Sequence, residues 1–198
     1  RCDDSVARVI ADTPTILRRS RGYVPRPVAL ARPLRRPVLA CGAQLKSSFC
    51  LAAGREAWLG PHIGDLDNLE ATSAFEEQVE RMQRFLGIRP EVIAHDLHPD
   101  YASTRYALAR PEIPKVAVQH HHAHVASAMA EHGLAGPVLG LAWDGTGYGT
   151  DGTAWGGELL LVREGGFDRL ATLRPLPLAG SDQAIRQVWR IALAALDD

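Results

Sequence analysis

The order of predicted strands and helices places this chain of 198 residues in the α/β class, with a mixed sheet and helical crossovers. Two observations predict this class. Strand and helix patterns alternate along residues 37–136, in the order βββαβαβ followed by a helix. The order then restarts after residue 137 as βββα, which is a weak internal repeat. We therefore expect ribonuclease-H-like lobes, as in actin-like ATPases and sugar kinases, with a nucleotide cleft between them.

The first lobe is predicted to occupy residues 37–136. Short apolar runs bounded by turn residues indicate strands, and a long amphipathic run that ends at Gly87 indicates a helix. The predicted strands are 38–44, 48–53, 56–61, 91–94 and 115–119, and the predicted helices are 66–86, 101–109 and 120–131. The apolar stripe of the long helix is predicted to contain Leu69, Phe75, Val79, Met82 and Leu86.

The second lobe is predicted to begin at residue 137 and to be incomplete at residue 198. Its elements are strands 138–143, 154–162 and 167–173, followed by one helix over 182–196. A truncated lobe should leave an unpaired sheet edge and exposed apolar surface.

A separate segment is expected before the first lobe. Residues 1–24 contain one predicted strand at 6–10 and a turn at 12–14, and residues 25–36 are rich in proline and are predicted to be an extended linker. Residues 1–36 carry nine arginines against three aspartates. This basic arm suits an anionic ligand, and a solvated linker is the competing interpretation.

The composition narrows the function classes. The chain has 22 basic and 23 acidic residues, which argues against a nucleic-acid binder. Its three cysteines, Cys2, Cys41 and Cys50, show no CxxC spacing, and the sequence contains neither a secretory signal nor an apolar run of membrane length. We therefore expect a cytoplasmic protein that does not contact a membrane.

A histidine cluster is the strongest chemical signal in the sequence. Four of the eight histidines lie within residues 120–124, at the predicted start of a helix. His120 and His124 are four residues apart, so their imidazoles project from one helix face and can share a metal ion. Asp144 ends an apolar strand and could add a hard oxygen ligand. A pair of surface histidines is the competing interpretation, but the Gly/Asp-rich segment after residue 144 favours a site.

Two predicted hairpins are candidates for phosphate binding. The segment 144–153 has more glycines and aspartates than a simple turn needs, and backbone N–H groups without side chains can approach an anion. The candidates there are Gly145, Thr146, Gly147 and Gly149. On the first hairpin Lys46 and Ser47 could contact phosphate, or the loop could be an ordinary hairpin with a solvated lysine.

A third candidate segment follows the fourth strand at its C-terminal end, where ligand-binding loops of α/β sheets lie. His95, Asp96 and His98 are the candidate catalytic residues there. A capped loop before a helix is an equally good interpretation.

Taken together, these motifs resemble the HypF family of hydrogenase-maturation carbamoyltransferases. The matching segments cover most of the chain: 3–6, 17–25, 42–46, 62–65, 95–101, 119–124, 144–149 and 155–158. The resemblance departs at Gln187 and Val188, because the family has Glu-Pro before the tryptophan that corresponds to Trp189.

The resemblance implies a division of labour. Residues 1–24 look like the end of a YrdC-like domain, which in this family makes carbamoyl adenylate from ATP and carbamoyl phosphate. The rest looks like part of the domain that passes the carbamoyl group to the C-terminal cysteine of the partner HypE, on the route to the cyanide ligands of [NiFe]-hydrogenase. The family's metal ligands map onto His120, His124 and Asp144, and a further aspartate would lie beyond residue 198.

The implied cofactors are a divalent metal, iron or zinc, and ATP or carbamoyl adenylate, with Mg²⁺ as a further candidate. Arg18, Arg19 and Arg21 would hold the adenylate phosphate, because guanidinium matches phosphate oxygens well. Alone, the 198 residues are expected to be inactive. The alternatives are an antibiotic O-carbamoyltransferase, a tRNA threonylcarbamoyl transferase and a non-catalytic nucleotide-binding scaffold.

Overall fold

A computed structural model of the chain describes residues 4–180 and 182–196, so Cys2, Asp3 and Ser181 lie outside the described residues. The strands are β1 Val6–Ile10, β2 Thr13–Arg18, β3 Val28–Ala29, β4 Val38–Ala40, β5 Cys50–Ala53, β6 Glu56–Leu59, β7 Val92–Asp96, β8 Lys115–Val118, β9 Val138–Tyr148, β10 Ala154–Arg163 and β11 Gly166–Thr172. The helices are α1 Leu69–Leu86, α2 Ala102–Leu108, α3 His120–Glu131, α4 Asp182–Arg186 and α5 Trp189–Leu196.

The first lobe is built on a six-stranded sheet in the order β3-β6-β5-β4-β7-β8. The sheet changes from antiparallel to parallel pairing at strand β4, which pairs antiparallel with β5 on one side and parallel with β7 on the other. Leu39 lies between Leu51 and Ile93 in this register, and all three side chains are buried. The α/β class and the mixed sheet with helical crossovers are therefore confirmed.

Helix α1 covers this sheet and supplies much of the core. The side chain of Asn68 accepts a hydrogen bond from Ala71 N at 2.8 Å, and Gly87 ends the helix with a φ of 66°. Phe75, Val79 and Met82 are buried, as the stripe predicts. The inclusion of Leu69 in that stripe was wrong. Leu69 is the first helical residue, beyond the reach of the sheet, and is 80% exposed.

Helix α3 connects the two sheets. It follows β8 directly, and the side chain of Gln119 caps it by accepting from His122 N at 2.9 Å. Its other side packs on the three-stranded sheet β11-β10-β9, where a Cβ at Gly140 would lie 2.4 Å from a methyl of Val125. Helix and strand therefore approach closely, and the first turn of α3 is held beside β9.

The second lobe differs from the prediction in two places. Strand β9 runs on to Tyr148, so residues 144–148 are strand rather than turn, and the connection to β10 is residues 149–153. The single helix predicted over 182–196 is two helices, α4 and α5, interrupted at Gln187 and Val188. Leu139, Leu141 and Trp143 are exposed along one face of β9.

The N-terminal segment is a separate two-stranded hairpin, β1–β2. Its second strand was not predicted, because Pro14 lies inside it. Ala11 and Asp12 form the turn with φ values of 46° and 60°. Within the predicted linker, Val28–Ala29 pairs with β6 at the edge of the six-stranded sheet. Among the helices that the structure describes, none is long and apolar enough to span a membrane.

Candidate metal centre

Three side chains converge where α3 meets β9. His120 and His124 lie one turn apart on α3, and Asp144 lies on β9. The Oδ2 atom of Asp144 is 2.8 Å from Nε2 of His120 and 3.3 Å from Nε2 of His124. One ligand atom from each residue can be chosen so that all lie within 4.8 Å of one another. Two imidazole nitrogens and a carboxylate oxygen in this space suit a divalent ion.

The proton affinities of these groups are coupled. The hydrogen bond to Asp96 raises the pKa of His120 against the opposing effect of burial, and the charges of Asp96 and Asp144 add to it. Burial alone would raise the pKa of Asp144, but the Gly145 N–H and the nearby imidazoles hold it below its ordinary value. A metal ion that binds here must displace the proton between His120 and Asp144.

The three predicted catalytic residues occupy different positions. Asp96 faces the donor set, because its Oδ2 is 2.7 Å from Nδ1 of His120. His95 is buried, with its Nδ1 2.7 Å from the carbonyl oxygen of Asp96. His98 stacks on Tyr101 with ring centroids 4.1 Å apart, and its Nδ1 accepts from the backbone N–H of Asp100 at 3.2 Å. Their catalytic roles stay predictions.

Two of the predicted phosphate-binding glycines are packing positions. A Cβ at Gly147 would lie 2.8 Å from both Cβ of His120 and Cε1 of His121. A Cβ at Gly149 would lie 2.2 Å from the indole nitrogen of Trp155. Real side chains do not tolerate such distances, so the missing Cβ atoms allow α3 and Trp155 to approach. Gly145 is exposed with open space around it, and Thr146 is partly exposed, so both remain candidates.

The loop between β4 and β5 presents Lys46 to solvent. Lys46 has a φ of 49°, and its backbone N–H donates to Oδ1 of Asp65 at 2.7 Å. Ser47, by contrast, is 1% exposed, and its Oγ has no hydrogen-bond partner among the described residues. Its backbone pairs with Gly64. A direct phosphate contact from the Ser47 hydroxyl is therefore not accessible in this conformation, whereas one from Lys46 is.

The three candidate arginines of the N-terminal segment contact their own segment. Arg21 forms an ion pair with Asp4 at 2.6 Å, and Nε of Arg18 donates to the carbonyl oxygen of Asp4 at 3.2 Å. The guanidinium of Arg19 donates to the carbonyl oxygen of Arg26 at 2.8 Å. None of these contacts joins the arginines to the donor set, and their phosphate-binding role stays a prediction.

A buried polar network in the middle of β10 was not predicted from the sequence. Glu158 is 0% exposed and accepts from Nε and Nη2 of Arg169 at 2.6 and 2.9 Å. The hydroxyl of Thr172 also donates to it. The guanidinium of Arg169 lies 3.9 Å from the ring centroid of Trp155, whose indole N–H donates to Asp151. The network ties β10, β11 and the 149–153 connection together.

The replacement Glu158→Gln should lower the free energy of unfolding by about 3 kcal/mol at neutral pH, because it removes the buried carboxylate partner of Arg169 and leaves only the longer contact with Asp151 at 3.7 Å. Burial by itself raises the pKa of Glu158, but the bonds from Arg169, Thr172 and Gly156 N outweigh it and hold the pKa below its ordinary value. The contribution is therefore present above the unfolded-state pKa and is lost as pH falls through the folded-state pKa.

Urea unfolding of both proteins across that acidic range measures the difference, which should narrow as the pH falls. Glu164→Gln is the matched control, because Glu164 pairs with Arg32 at the surface and should contribute little. An equal loss in the two variants, or a loss that does not depend on pH, would argue against the ionised Glu158 as the cause.

Comparison with known proteins agrees with this fold. The family model "HypF Kae1-like domain" matches residues 33–131, and "Carbamoyltransferase, Kae1-like Domain, second subdomain" matches residues 140–198. These two matches, over most of the chain, identify the fold as a Kae1-like domain. The chain belongs to the HypF family, which confirms the resemblance found in the sequence.

Relatives and solved structures support the same family. Carbamoyltransferase HypF2 of Cupriavidus necator is 52% identical over 99% of this chain, and HypF of Rhizobium leguminosarum bv. viciae is 48% identical over 99%. A crystal structure of full-length HypF in the phosphate- and nucleotide-bound form matches 98% of the chain with a TM-score of 0.94 and 47% identity. The chain spans 25%, 26% and 26% of these three proteins, respectively.

Proposed function

We propose that this chain supplies the carbamoyl-transfer site of a hydrogenase-maturation carbamoyltransferase. Its substrate is carbamoyl adenylate, made from ATP and carbamoyl phosphate, and its acceptor is the C-terminal cysteine of HypE. In the transfer the cysteine sulfur bonds to the carbamoyl carbon, the bond from that carbon to the AMP phosphate oxygen breaks, and the thiol proton and AMP leave. The observation that carries the proposal is the convergence of His120, His124 and Asp144 in a domain of this family.

The same three residues would hold a divalent metal, iron or zinc. Such an ion would act as a Lewis acid that polarises a carbonyl group or binds a phosphate oxygen. The donor set suits this role because His124 and Asp144 are partly exposed, which leaves one side of the site accessible from solvent. His120 lies deeper, with a carboxylate on each ring nitrogen.

Other residues of the chain are proposed to position the substrate. Lys46, Gly145 and Thr146 are the accessible candidates for the nucleotide phosphate, with Mg²⁺ as a further ligand of it, and Arg18, Arg19 and Arg21 would act from the N-terminal segment. His98 is proposed to donate a hydrogen bond to the substrate. Because its Nδ1 accepts from Asp100 N, a neutral His98 carries its proton on Nε2 and can donate to a carbonyl or phosphate oxygen.

A chimera tests the proposal. This chain replaces the matching quarter of Cupriavidus necator HypF2, and transfer of labelled carbamoyl from carbamoyl phosphate to HypE is measured with ATP present. Label should appear on HypE and disappear when its C-terminal cysteine is replaced by serine. Label on a small hydroxylated acceptor but not on HypE would instead support an O-carbamoyltransferase. Nucleotide and metal binding without any transfer would support a scaffold.

A further inference from the structure

Asp96 occupies a position that the sequence did not reveal. It is the last residue of β7, and the register pairs it with Val118 on the parallel strand β8. His120 follows two residues after Val118, at the start of α3. The carboxylate of Asp96 and the imidazole of His120 therefore lie together at the C-terminal ends of β7 and β8. Oδ2 of Asp96 is 2.7 Å from Nδ1 of His120.

The two oxygens of Asp96 have separate partners. Oδ1 accepts the backbone N–H of His98 at 2.8 Å, which shapes the loop after β7. Oδ2 is not needed for that turn, and it faces His120 instead. The Asp96 side chain is only 6% exposed, so water does not compete strongly for either oxygen. A loop-capping role explains Oδ1 but leaves the contact with His120 unexplained.

Each ring nitrogen of His120 lies beside a carboxylate, Nδ1 beside Asp96 and Nε2 beside Asp144, so a protonated His120 donates to both. An ionised carboxylate only accepts hydrogen bonds, so Nδ1 of His120 must be the donor. Where a metal ion takes the place of the proton on Nε2, the atom beside Asp144 and His124, Asp96 would keep the remaining proton on Nδ1. A carboxylate on the far nitrogen also makes the imidazole a stronger ligand.

We propose that Asp96 is a positioning residue of the metal centre, which holds the proton on Nδ1 of His120 and so directs Nε2 to the ion. The inference rests on the proposed function, because it presupposes that the chain binds a divalent metal. Asp96 touches neither substrate nor ion in this role, and acts through His120.

The variant Asp96→Asn separates the two functions of the carboxylate. Asparagine keeps the shape but has one acceptor oxygen. If that oxygen accepts from His98 N, the amide NH₂ faces His120 and favours the proton on Nε2, which blocks metal binding. Affinity for Zn²⁺ or Fe²⁺, measured against a competing chelator, should fall about 10- to 100-fold. Asp100→Asn is the matched control, since Asp100 lies in the same loop and is exposed.

A second measurement does not depend on a variant. In the Zn²⁺-loaded wild-type chain, imidazole ¹H–¹⁵N spectra should show His120 protonated at Nδ1 and metal-bound through Nε2. A proton on Nε2, or equal affinity in Asp96→Asn and wild type, would overturn the inference while the metal site stands. If the wild type binds neither Zn²⁺ nor Fe²⁺, the proposed metal site fails, and the inference fails with it.

Discussion

Replacement of His120 by alanine should have the largest effect on function of any single change in this chain. The variant removes the imidazole that lies between Asp96 and Asp144 and stands 3.3 Å from His124. Loss of a ligand should weaken metal binding by more than the roughly 10- to 100-fold that is typical of a supporting residue. In the chimera, carbamoyl transfer to HypE should fall to background.

The matched control is His122→Ala, on the same helix and in the same histidine run. The ring of His122 packs against Phe167, with centroids 4.9 Å apart, and faces away from the donor set. This variant should retain metal binding measured by titration and should retain transfer. If both variants lose metal equally, the helix rather than the ligand is responsible. If His120→Ala still binds metal as the wild type does, the assigned donor set is wrong.

The histidine pair of the donor set could be predicted because its geometry is local, whereas its meeting with Asp144 depends on the packing of α3 against β9. His120 and His124 are one helical turn apart whatever surrounds them, and Asp144 was found because it ends an apolar run. The α/β class could also be predicted from the sequence, since segments with strand periodicity and segments with helix periodicity alternate in residues 37–136. These features depend on spacing along the chain, which a sequence displays directly.

Two of the features that were missed depend on contacts between distant segments. The glycines after Asp144 locally favour a turn, yet Gly147 lies in β9, where it pairs with Trp155 of β10 and packs against His120 and His121. The second role of Asp96 arises from the pairing of β7 with β8. The break between α4 and α5 at Gln187 and Val188 was also missed, and no contact among the described residues explains it.

Replacement of Gly147 by alanine should distinguish a packing role from a phosphate-binding role for the glycine run. The new Cβ would meet His120 and His121 at 2.8 Å, and the backbone of Gly147 does not have the positive φ that disfavours alanine, so the cost is steric. Overpacking of this kind costs about 1–3 kcal/mol in unfolding free energy. It should also weaken metal binding, since β9 carries Asp144 and α3 carries both histidines.

Gly145→Ala is the matched control, because it adds the same methyl group where there is space for it. Gly145 lies two residues earlier on the same strand, and a Cβ there meets nothing within 4 Å. Urea unfolding and nucleotide binding are measured for both variants. If Gly147 serves packing and Gly145 serves phosphate binding, Gly147→Ala should lose stability. Gly145→Ala should then lose nucleotide affinity and keep its stability. If both keep full stability and both lose nucleotide, the whole run cradles phosphate, and the packing explanation for Gly147 is wrong.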